Sequence, residues 1–234
     1  FQMLGFTATH FRTAESEQGL LKKVFPDDIV YKIDLRTLIR LGILSEPHFE
    51  EVPTGLNFIK DLSEEQIEQL NYFDIDSIGT GIAKTIAEND ERNHTIVNKY
   101  LLNKDKYKQT IVFALNVDNA IALNALFNEA GVKSDYVIST VKDQATGVTI
   151  SSKDNKNKIA KFRNEEIEVL INVNILTEGT DVPNVQSIFL ARPTISSILM
   201  TQMIGRGLRG LKAGGTKEAY IVSFVDDWQN RISW

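Results

Sequence analysis

Short apolar runs rich in β-branched residues alternate with stretches of helical spacing through the second half of the chain. Runs of about six residues of this kind are typical of buried strands. Strands that are separated by helices must be joined by crossovers, which favours βαβ units and a parallel sheet. The predicted strands are Thr110–Leu115, Ser134–Thr140, Glu168–Val173, Ser187–Ala191 and Ala219–Val225. The pattern therefore predicts an α/β fold for this half.

The segments between these runs have the spacing of amphipathic helices. Ala120, Leu123 and Phe127 recur at intervals of three and four residues, which places them on one helical face. Gly131 ends this segment, because glycine is favoured just beyond a last helical turn. The predicted helices are Asn116–Ala130, Lys156–Asn164 and Ser196–Leu208. Together the two patterns predict a mainly parallel sheet flanked by helices.

The first half of the chain is less regular. We interpret residues 1–55 as the tail of a preceding domain with a connector, 56–109 as a helical connecting segment, and 110–234 as the α/β domain. The predicted elements are a strand-like run Met3–Ala8, a strand Ile29–Ile33, a helix Leu35–Leu41 ended by Gly42, an extended piece His48–Val52, a helix from Ser63 to about Asn71, and a long helix Gly81–Leu102.

Composition excludes several classes of site. The chain has no cysteine and three widely spaced histidines, which argues against a zinc site, a disulfide scaffold and a thiol nucleophile. It lacks an apolar run of about 18 residues and an N-terminal signal pattern, so we expect no membrane span and a cytoplasmic setting.

Net charge does not decide the partner. The chain carries a net charge of −5. Residues 1–109 contain 13 basic and 18 acidic residues, whereas residues 110–234 contain 13 of each. The acidic surplus therefore lies in the first half, and a basic groove on the second half stays possible.

Residues Gly79–Thr85 superficially resemble a phosphate-binding loop. That loop requires glycine directly before its lysine, since the backbone there packs against a phosphate. Ala83 precedes Lys84 in this chain, and Ile78 stands where the first glycine belongs. The segment is therefore interpreted as a glycine turn that opens a helix.

Residues Gln202–Arg209 form the most specific motif. On a helix, Gln202, Arg206 and Arg209 are four and then three residues apart, so they share one face. Two arginines held on one face suit phosphate recognition, because each guanidinium is a permanent, fork-shaped donor. A pair of solvated surface arginines is the alternative interpretation.

Two other segments are ambiguous when each is taken alone. Asn172–Pro183 follows a predicted strand directly, and ligands of open α/β sheets bind at the carboxyl ends of strands. Asp181 could accept a hydrogen bond there, or it could simply cap a turn. Phe6–Thr9 places two hydroxyl residues at the end of a predicted strand, which alone indicates no more than a strand end.

Taken in chain order, these segments resemble the motifs of superfamily 2 helicases of the DEAD/DEAH-box-like group, which contains restriction-enzyme ATPase subunits and XPB-like repair helicases. The resemblance extends over nearly the whole chain and implies that 110–234 is the second RecA-like motor domain. Asn93 and Ala191–Thr194 are also family-like. The matching segments are Phe6–Thr9 with motif III, Thr110–Asn116 with motif IV, Leu176–Pro183 with motif V and Gln202–Arg209 with motif VI.

The resemblance implies roles at the nucleotide. Arg206 and Arg209 match the arginine fingers, the catalytic residues that stabilise charge on the transferred phosphoryl group. Gly179, Asp181 and Gln202 match positions that approach the nucleotide. The implied cofactor is ATP with Mg²⁺, for which this chain supplies no metal ligand of its own.

The resemblance also implies a nucleic-acid track. Thr177, Phe113 and Asn116 match positions on the nucleic-acid side, with DNA favoured over RNA. Thr7 and Thr9 match the motif that couples hydrolysis to domain movement. His10 and Thr180 depart from the family pattern, in which proline and phenylalanine are usual, so the exit from motif III and the packing of motif V stay open.

The phosphate-binding loop and the acidic metal motif of the family do not occur in this chain. Both precede motif III in the family, so we expect a first motor domain upstream as the partner that completes the ATP site. A chain without them is expected to bind no nucleotide and to hydrolyse no ATP by itself. A non-catalytic nucleic-acid or protein docking module is the alternative, with a small-molecule-binding α/β domain behind it. Translocation against strand separation is left open.

Overall fold

The apolar runs of the second half form strands, and one strand from the first half joins them. The computed structural model describes residues 31–56, 80–138, 152–173, 182, 184–192, 205 and 208–226. The strands are β1 (Glu46–Pro53), β2 (Thr110–Phe113), β3 (Ser134–Ile138), β4 (Val169–Val173), β5 (Ser187–Leu190) and β6 (Glu218–Val225).

Within the described residues, these six strands form one sheet in the order β1-β6-β5-β2-β4-β3. Every neighbouring pair is parallel, and β2 lies between β4 and β5. The predicted parallel α/β sheet is therefore confirmed. Because the strands are parallel, all their carboxyl ends lie at one edge of the sheet, called here the carboxyl edge, and all their amino ends lie at the opposite, amino edge.

Helices connect the strands where the described chain crosses over. The helix predicted over Gly81–Leu102 is two helices, because Asn89 interrupts it: its side chain accepts a hydrogen bond from the Arg92 amide at 2.8 Å and so caps the second one. The helices are α1 (Leu35–Arg40), α2 (Thr80–Ala87), α3 (Asp90–Leu101), α4 (Lys104–Tyr107), α5 (Val117–Glu129) and α6 (Ser152–Arg163), with a 3₁₀ turn at Leu211–Ala213.

The core has two halves, one on each face of the sheet. Side chains of β2 alternate between them: Val112 packs on the face covered by α3 and α5, whereas Ile111 and Phe113 pack on the face covered by α6. On the face covered by α3 and α5, aromatic rings from α3, α4 and β5 meet edge-to-face, since Tyr100 and Tyr107 both contact Phe189. Strands β2, β4 and β5 are thus buried on both faces, as is typical of strands inside a parallel sheet.

Strand β1 is firmly part of this sheet. It pairs with β6 in parallel along all eight residues, from Glu46 beside Glu218 to Pro53 beside Val225. The extended piece predicted over His48–Val52 is therefore a strand of the same sheet as β2–β6. The predicted division at residues 55 and 109 stays a prediction.

Some predicted elements differ or cannot be compared. Residues 31–33, the described part of the strand predicted over Ile29–Ile33, belong to no strand. Gly205 is helical, but Leu208 is not, so the helix predicted over Ser196–Leu208 ends before its predicted last residue. The predicted elements Met3–Ala8 and Ser63 to about Asn71 lie outside the described residues.

Candidate functional site

Three predicted site residues lie in the part of the chain that the structure describes: Phe113, Asn116 and Arg209. The structure does not bring the three together, because Phe113 and Asn116 lie at the carboxyl edge and Arg209 at the amino edge. The predicted site residues outside the described ranges are Thr7, Thr9, Thr177, Gly179, Asp181, Gln202 and Arg206.

Arg209 lies beyond the helix in an extended segment. It forms an isolated antiparallel bridge with Leu44, just before β1. The Gly210 amide donates to the Ile43 carbonyl oxygen at 2.9 Å, and the Lys212 amide donates to the Gly42 carbonyl oxygen at 2.9 Å. Arg209 is therefore not helical, and its position is set by pairing with a segment about 165 residues away in sequence.

Two glycines allow this close pairing. A Cβ atom added to Gly210 would lie 2.8 Å from the Gly42 carbonyl carbon, and one added to Gly215 would lie 2.6 Å from the Arg209 carbonyl carbon. Real Cβ atoms do not approach so closely, so any other residue would push the segments apart. The turn after Arg209 closes through the Gly215 amide, which donates to the Gly210 carbonyl oxygen at 2.9 Å.

Phe113 is a core residue in this structure. The residue is 2% exposed, and its ring belongs to the apolar cluster on the α6 face of the sheet. Its side chain therefore offers no surface to a ligand, and a nucleic-acid contact at Phe113 stays a prediction. The continuous apolar run Ile111–Leu115 was a signal in the sequence for this packing, because such a run is typical of a strand that is buried on both faces.

Asn116 begins α5 at the carboxyl edge. Its side-chain oxygen accepts a hydrogen bond from the Asn119 amide at 2.9 Å, so Asn116 is the N-cap of this helix. The residue is half-buried, between the end of β2 and the first turn of α5. The cap explains the residue type at this position, and the predicted contact with nucleic acid is left as a prediction.

A buried pair of asparagines joins α3 to α5. Asn119 Nδ2 donates to Asn93 Oδ1 at 2.9 Å, and Asn93 Nδ2 donates to the carbonyl oxygen of Ala87 at 2.9 Å. Asn119 Oδ1 in turn accepts from the Leu115 amide at 3.3 Å. Asn93, which the sequence comparison marked as family-like, is therefore part of a structural network that supports the turn after β2.

A second buried network lies where three neighbouring strands end. Thr54 follows β1, Ala191 follows β5 and Asp226 follows β6. Arg92 of α3 reaches this point: its Nε donates to Asp226 Oδ1 at 2.9 Å and its Nη2 donates to the Ala191 carbonyl oxygen at 2.7 Å. The Thr54 hydroxyl also donates to Asp226 Oδ1. The ion pair is fully buried, with both side chains 0% exposed.

The Arg92 network is absent from the sequence-based prediction. One local signal was available, because Arg92, Ile96 and Tyr100 are spaced by four residues and so share the buried face of α3. The partner, Asp226, is 134 residues away, and nothing local indicates it.

Glu50 of β1 is the centre of a charged cluster on the α3 and α4 side. It accepts hydrogen bonds from Lys106 Nζ at 2.8 Å, from the Tyr107 hydroxyl at 2.8 Å and forms an ion pair with Lys99 Nζ at 2.9 Å. Burial by itself would raise the pKa of Glu50, but these three donors outweigh it and lower the pKa to about 2. Burial raises the pKa of Tyr107, which keeps its hydroxyl protonated as a donor.

The described residues hold no group of three or more histidine, cysteine, aspartate or glutamate side chains that could bind a metal ion. Within the same residues, no helix combines the length and the apolar character that crossing a membrane requires.

Residues 92–210 match the family model described as the helicase conserved C-terminal domain. The chain is 34% identical over 209 residues to a candidate ATP-dependent helicase, IRC3, of Saccharomyces cerevisiae, covering 88% of this chain and 27% of that protein. It is 28% identical to a candidate mitochondrial ATP-dependent helicase of Schizosaccharomyces pombe, covering 96% of this chain and 33% of the relative. The chain thus spans about a third or less of the length of these two relatives.

The fold also matches a solved structure. A fragment of a candidate HsdR subunit of a type I restriction enzyme from Vibrio vulnificus superposes with a TM-score of 0.59 at 22% identity, covering 96% of this chain and 40% of that chain. At this identity the likeness shows a shared fold.

Proposed function

Because the chain belongs to the helicase conserved C-terminal domain family, we propose that it is the second motor domain of an ATP-dependent DNA helicase or translocase. The resemblance to helicases predicted from the motifs is confirmed by the family match, and the predicted parallel α/β fold is confirmed by the six-stranded sheet of the described residues. The observation that carries the proposal is the extent of that match, residues 92–210, which includes the predicted nucleotide-binding residues and both arginines.

In the proposed mechanism, this domain supplies the positive charge that completes an ATP site. A first motor domain holds most of the ATP and Mg²⁺ contacts, and Gly179, Asp181 and Gln202 approach the nucleotide from this side. Arg206 and Arg209 act as arginine fingers on the charge that develops on the transferred phosphoryl group. The ladder of main-chain hydrogen bonds around Arg209 supports this role, since a finger must be positioned before the reaction.

The nucleic-acid track is proposed at the carboxyl edge of the sheet. Asn116 follows β2 at this edge, where parallel sheets present ligand sites, and Thr177 comes four residues after the end of β4 in the sequence. The contacts are proposed to be mainly to phosphates, so binding would weaken steeply as salt rises. DNA as the polymer, coupling through Thr7 and Thr9, and a cytoplasmic setting belong to the same proposal.

The test is DNA-stimulated ATP hydrolysis by the complete protein. Arg209→Ala is expected to lower kcat by about 10³-fold or more, the scale for loss of a transition-state arginine, with a much smaller change in KM for ATP. Arg36→Ala, which removes an exposed arginine of α1, is the matched control and should leave kcat unchanged. An Arg209→Ala variant that hydrolyses ATP at the rate of the control would favour the docking-module interpretation instead.

A further inference from the structure

We propose that Ser45 is a positioning residue for Arg209: its buried hydroxyl holds the main chain of the arginine in place for catalysis. This inference rests on the proposed function of Arg209. Ser45 lies in residues 42–45, between α1 and β1, called here the anchor loop. This loop belongs to residues 1–55, which are interpreted above as the tail of a preceding domain with a connector.

The contacts of Ser45 are made with both segments that flank the turn after Arg209. Its hydroxyl lies 2.6 Å from the carbonyl oxygen of Arg209 and 2.7 Å from that of Thr216, so its one proton is shared between two acceptors. Its amide donates to the Leu208 carbonyl oxygen at 2.9 Å. Ser45 is 0% exposed, so water cannot replace these hydrogen bonds.

The hydroxyl is the side-chain part of an otherwise main-chain ladder. On one side of Arg209, the anchor loop accepts from Gly210 and Lys212; on the other, the Thr216 amide donates to the Arg209 carbonyl oxygen at 2.9 Å. The Arg209 carbonyl oxygen therefore accepts hydrogen bonds from both the Ser45 hydroxyl and the Thr216 amide. Almost any residue type could form the main-chain hydrogen bonds of the anchor loop. The hydrogen bonds of the Ser45 hydroxyl, in contrast, cannot be formed by an apolar side chain.

The consequence for catalysis follows from geometry. A transition-state arginine acts over hydrogen-bond distances, and a displacement of about 1 Å can cost about 10²-fold in rate. Ser45 holds the carbonyl group of Arg209 itself. Loss of the Ser45 hydroxyl therefore loosens the main chain of Arg209 but leaves its guanidinium in the protein. The effect should therefore fall on kcat, where the finger acts, and spare nucleotide binding.

The chain offers a matched control in Ser187. This serine is also 0% exposed, and its hydroxyl lies 2.6 Å from the Thr110 hydroxyl and donates to the Tyr107 carbonyl oxygen at 3.1 Å. Ser187→Ala thus removes a buried hydroxyl with two partners at the amino edge, but neither partner belongs to the hydrogen-bond ladder around Arg209. A loss of stability common to buried serines would appear in both variants.

The experiment measures kcat, KM for ATP and the thermal midpoint in the complete protein for Ser45→Ala, Ser187→Ala, Arg209→Ala and Gly210→Ala. We expect Ser45→Ala to lower kcat about ten-fold or more with KM changed less than about two-fold, while Ser187→Ala keeps the wild-type kcat. Gly210→Ala, which forces the anchor loop and the Arg209 segment apart, should show the same split and decides the matter if Ser45→Ala does not fold.

The outcomes separate the two claims. If Arg209→Ala is inactive but Ser45→Ala and Gly210→Ala keep wild-type kcat, the positioning role is overturned and the proposed function stands. Equal losses in Ser45→Ala and Ser187→Ala also overturn it, because the cause would be general instability. If Arg209→Ala hydrolyses ATP normally, the proposed function itself fails.

Discussion

Arg92 and Arg209 are held in opposite ways at opposite edges of the sheet. Arg92 is fixed through its side chain, which forms a fully buried ion pair with Asp226 at the carboxyl edge. Arg209 is fixed through its main chain, by pairing with the anchor loop at the amino edge. The side chain of Arg92 is part of the fold itself, whereas the ladder holds Arg209 through its main-chain atoms. The comparison predicts that one arginine governs stability and the other governs turnover.

The largest expected effect tests the structural side of this comparison. Arg92→Ala should lower the free energy of unfolding by about 3 to 5 kcal/mol, because it leaves Asp226 as a buried charge without its arginine. Urea denaturation followed by circular dichroism measures the change. The double variant Arg92→Met with Asp226→Leu should recover most of the loss, since it removes both charges. A single variant as stable as wild type would mean that the pair is not buried in solution.

The next effect tests the catalytic side. Arg209→Lys should lower kcat about 10²-fold, because a point ammonium cannot reproduce the planar fork, while the free energy of unfolding changes by less than about 0.5 kcal/mol. ATP turnover and urea denaturation of the same sample measure both quantities. A lysine variant with full turnover would remove Arg209 from the proposed catalytic residues, and a large loss of stability would mean that its side chain supports the fold, as that of Arg92 does.

A smaller effect concerns the strand that carries the anchor loop into the sheet. The pKa of Glu50 is about 2 in the folded protein against 4.5 as its ordinary value, so its contribution is present above pH 4.5 and is lost as pH falls toward 2. The loss should be about 1 to 2 kcal/mol, after allowance for a side chain that is 20% exposed. Unfolding free energies between pH 6 and pH 3 measure it. Glu50→Gln should flatten this part of the pH profile, and an unchanged slope would contradict the assignment.

The smallest expected effect concerns two helix N-caps, Asn89 of α3 and Asn116 of α5. Asn116→Ala and Asn89→Ala should each cost about 1 kcal/mol, since each removes a side-chain acceptor from a first-turn amide. If Asn116 also lies on the nucleic-acid track, only its variant should bind single-stranded DNA more weakly, as a fluorescence titration at fixed salt would measure. Equal DNA affinities for the two variants would remove Asn116 from the predicted contacts.

Much of the fold followed from local pattern, and the exceptions have physical causes. Strands β2, β4 and β5 were predicted within two residues of their bounds, because a strand buried on both faces needs a continuous apolar run. The long helix Gly81–Leu102 was predicted without its break, since both halves have helical spacing and only the Asn89 cap divides them. Strand β1 carries charged residues in its middle, which an apolar pattern cannot identify as a sheet strand.

The site was less predictable than the fold. The catalytic role that the motif assigns to Arg209 stays a proposal, and the helical spacing of the motif gave the wrong local structure, because pairing with Leu44 overrides helix propensity there. Phe113 was predicted as a contact from its place in a motif, although its ring fills the core. A motif identifies positions, whereas packing decides which side chains remain available.

The sequence alone determined that this chain forms a parallel α/β sheet and that its motifs resemble those of helicases, since periodicity and motif spacing are properties of neighbouring residues. Only the tertiary structure decided that Ser45 meets Arg209 and that Arg92 meets Asp226, contacts that join residues 164 and 134 positions apart. The physical reason is the parallel topology, which brings the ends of strands distant in sequence to a common edge. Hydrogen bonds made there depend on strand order, and no local sequence pattern predicts that order.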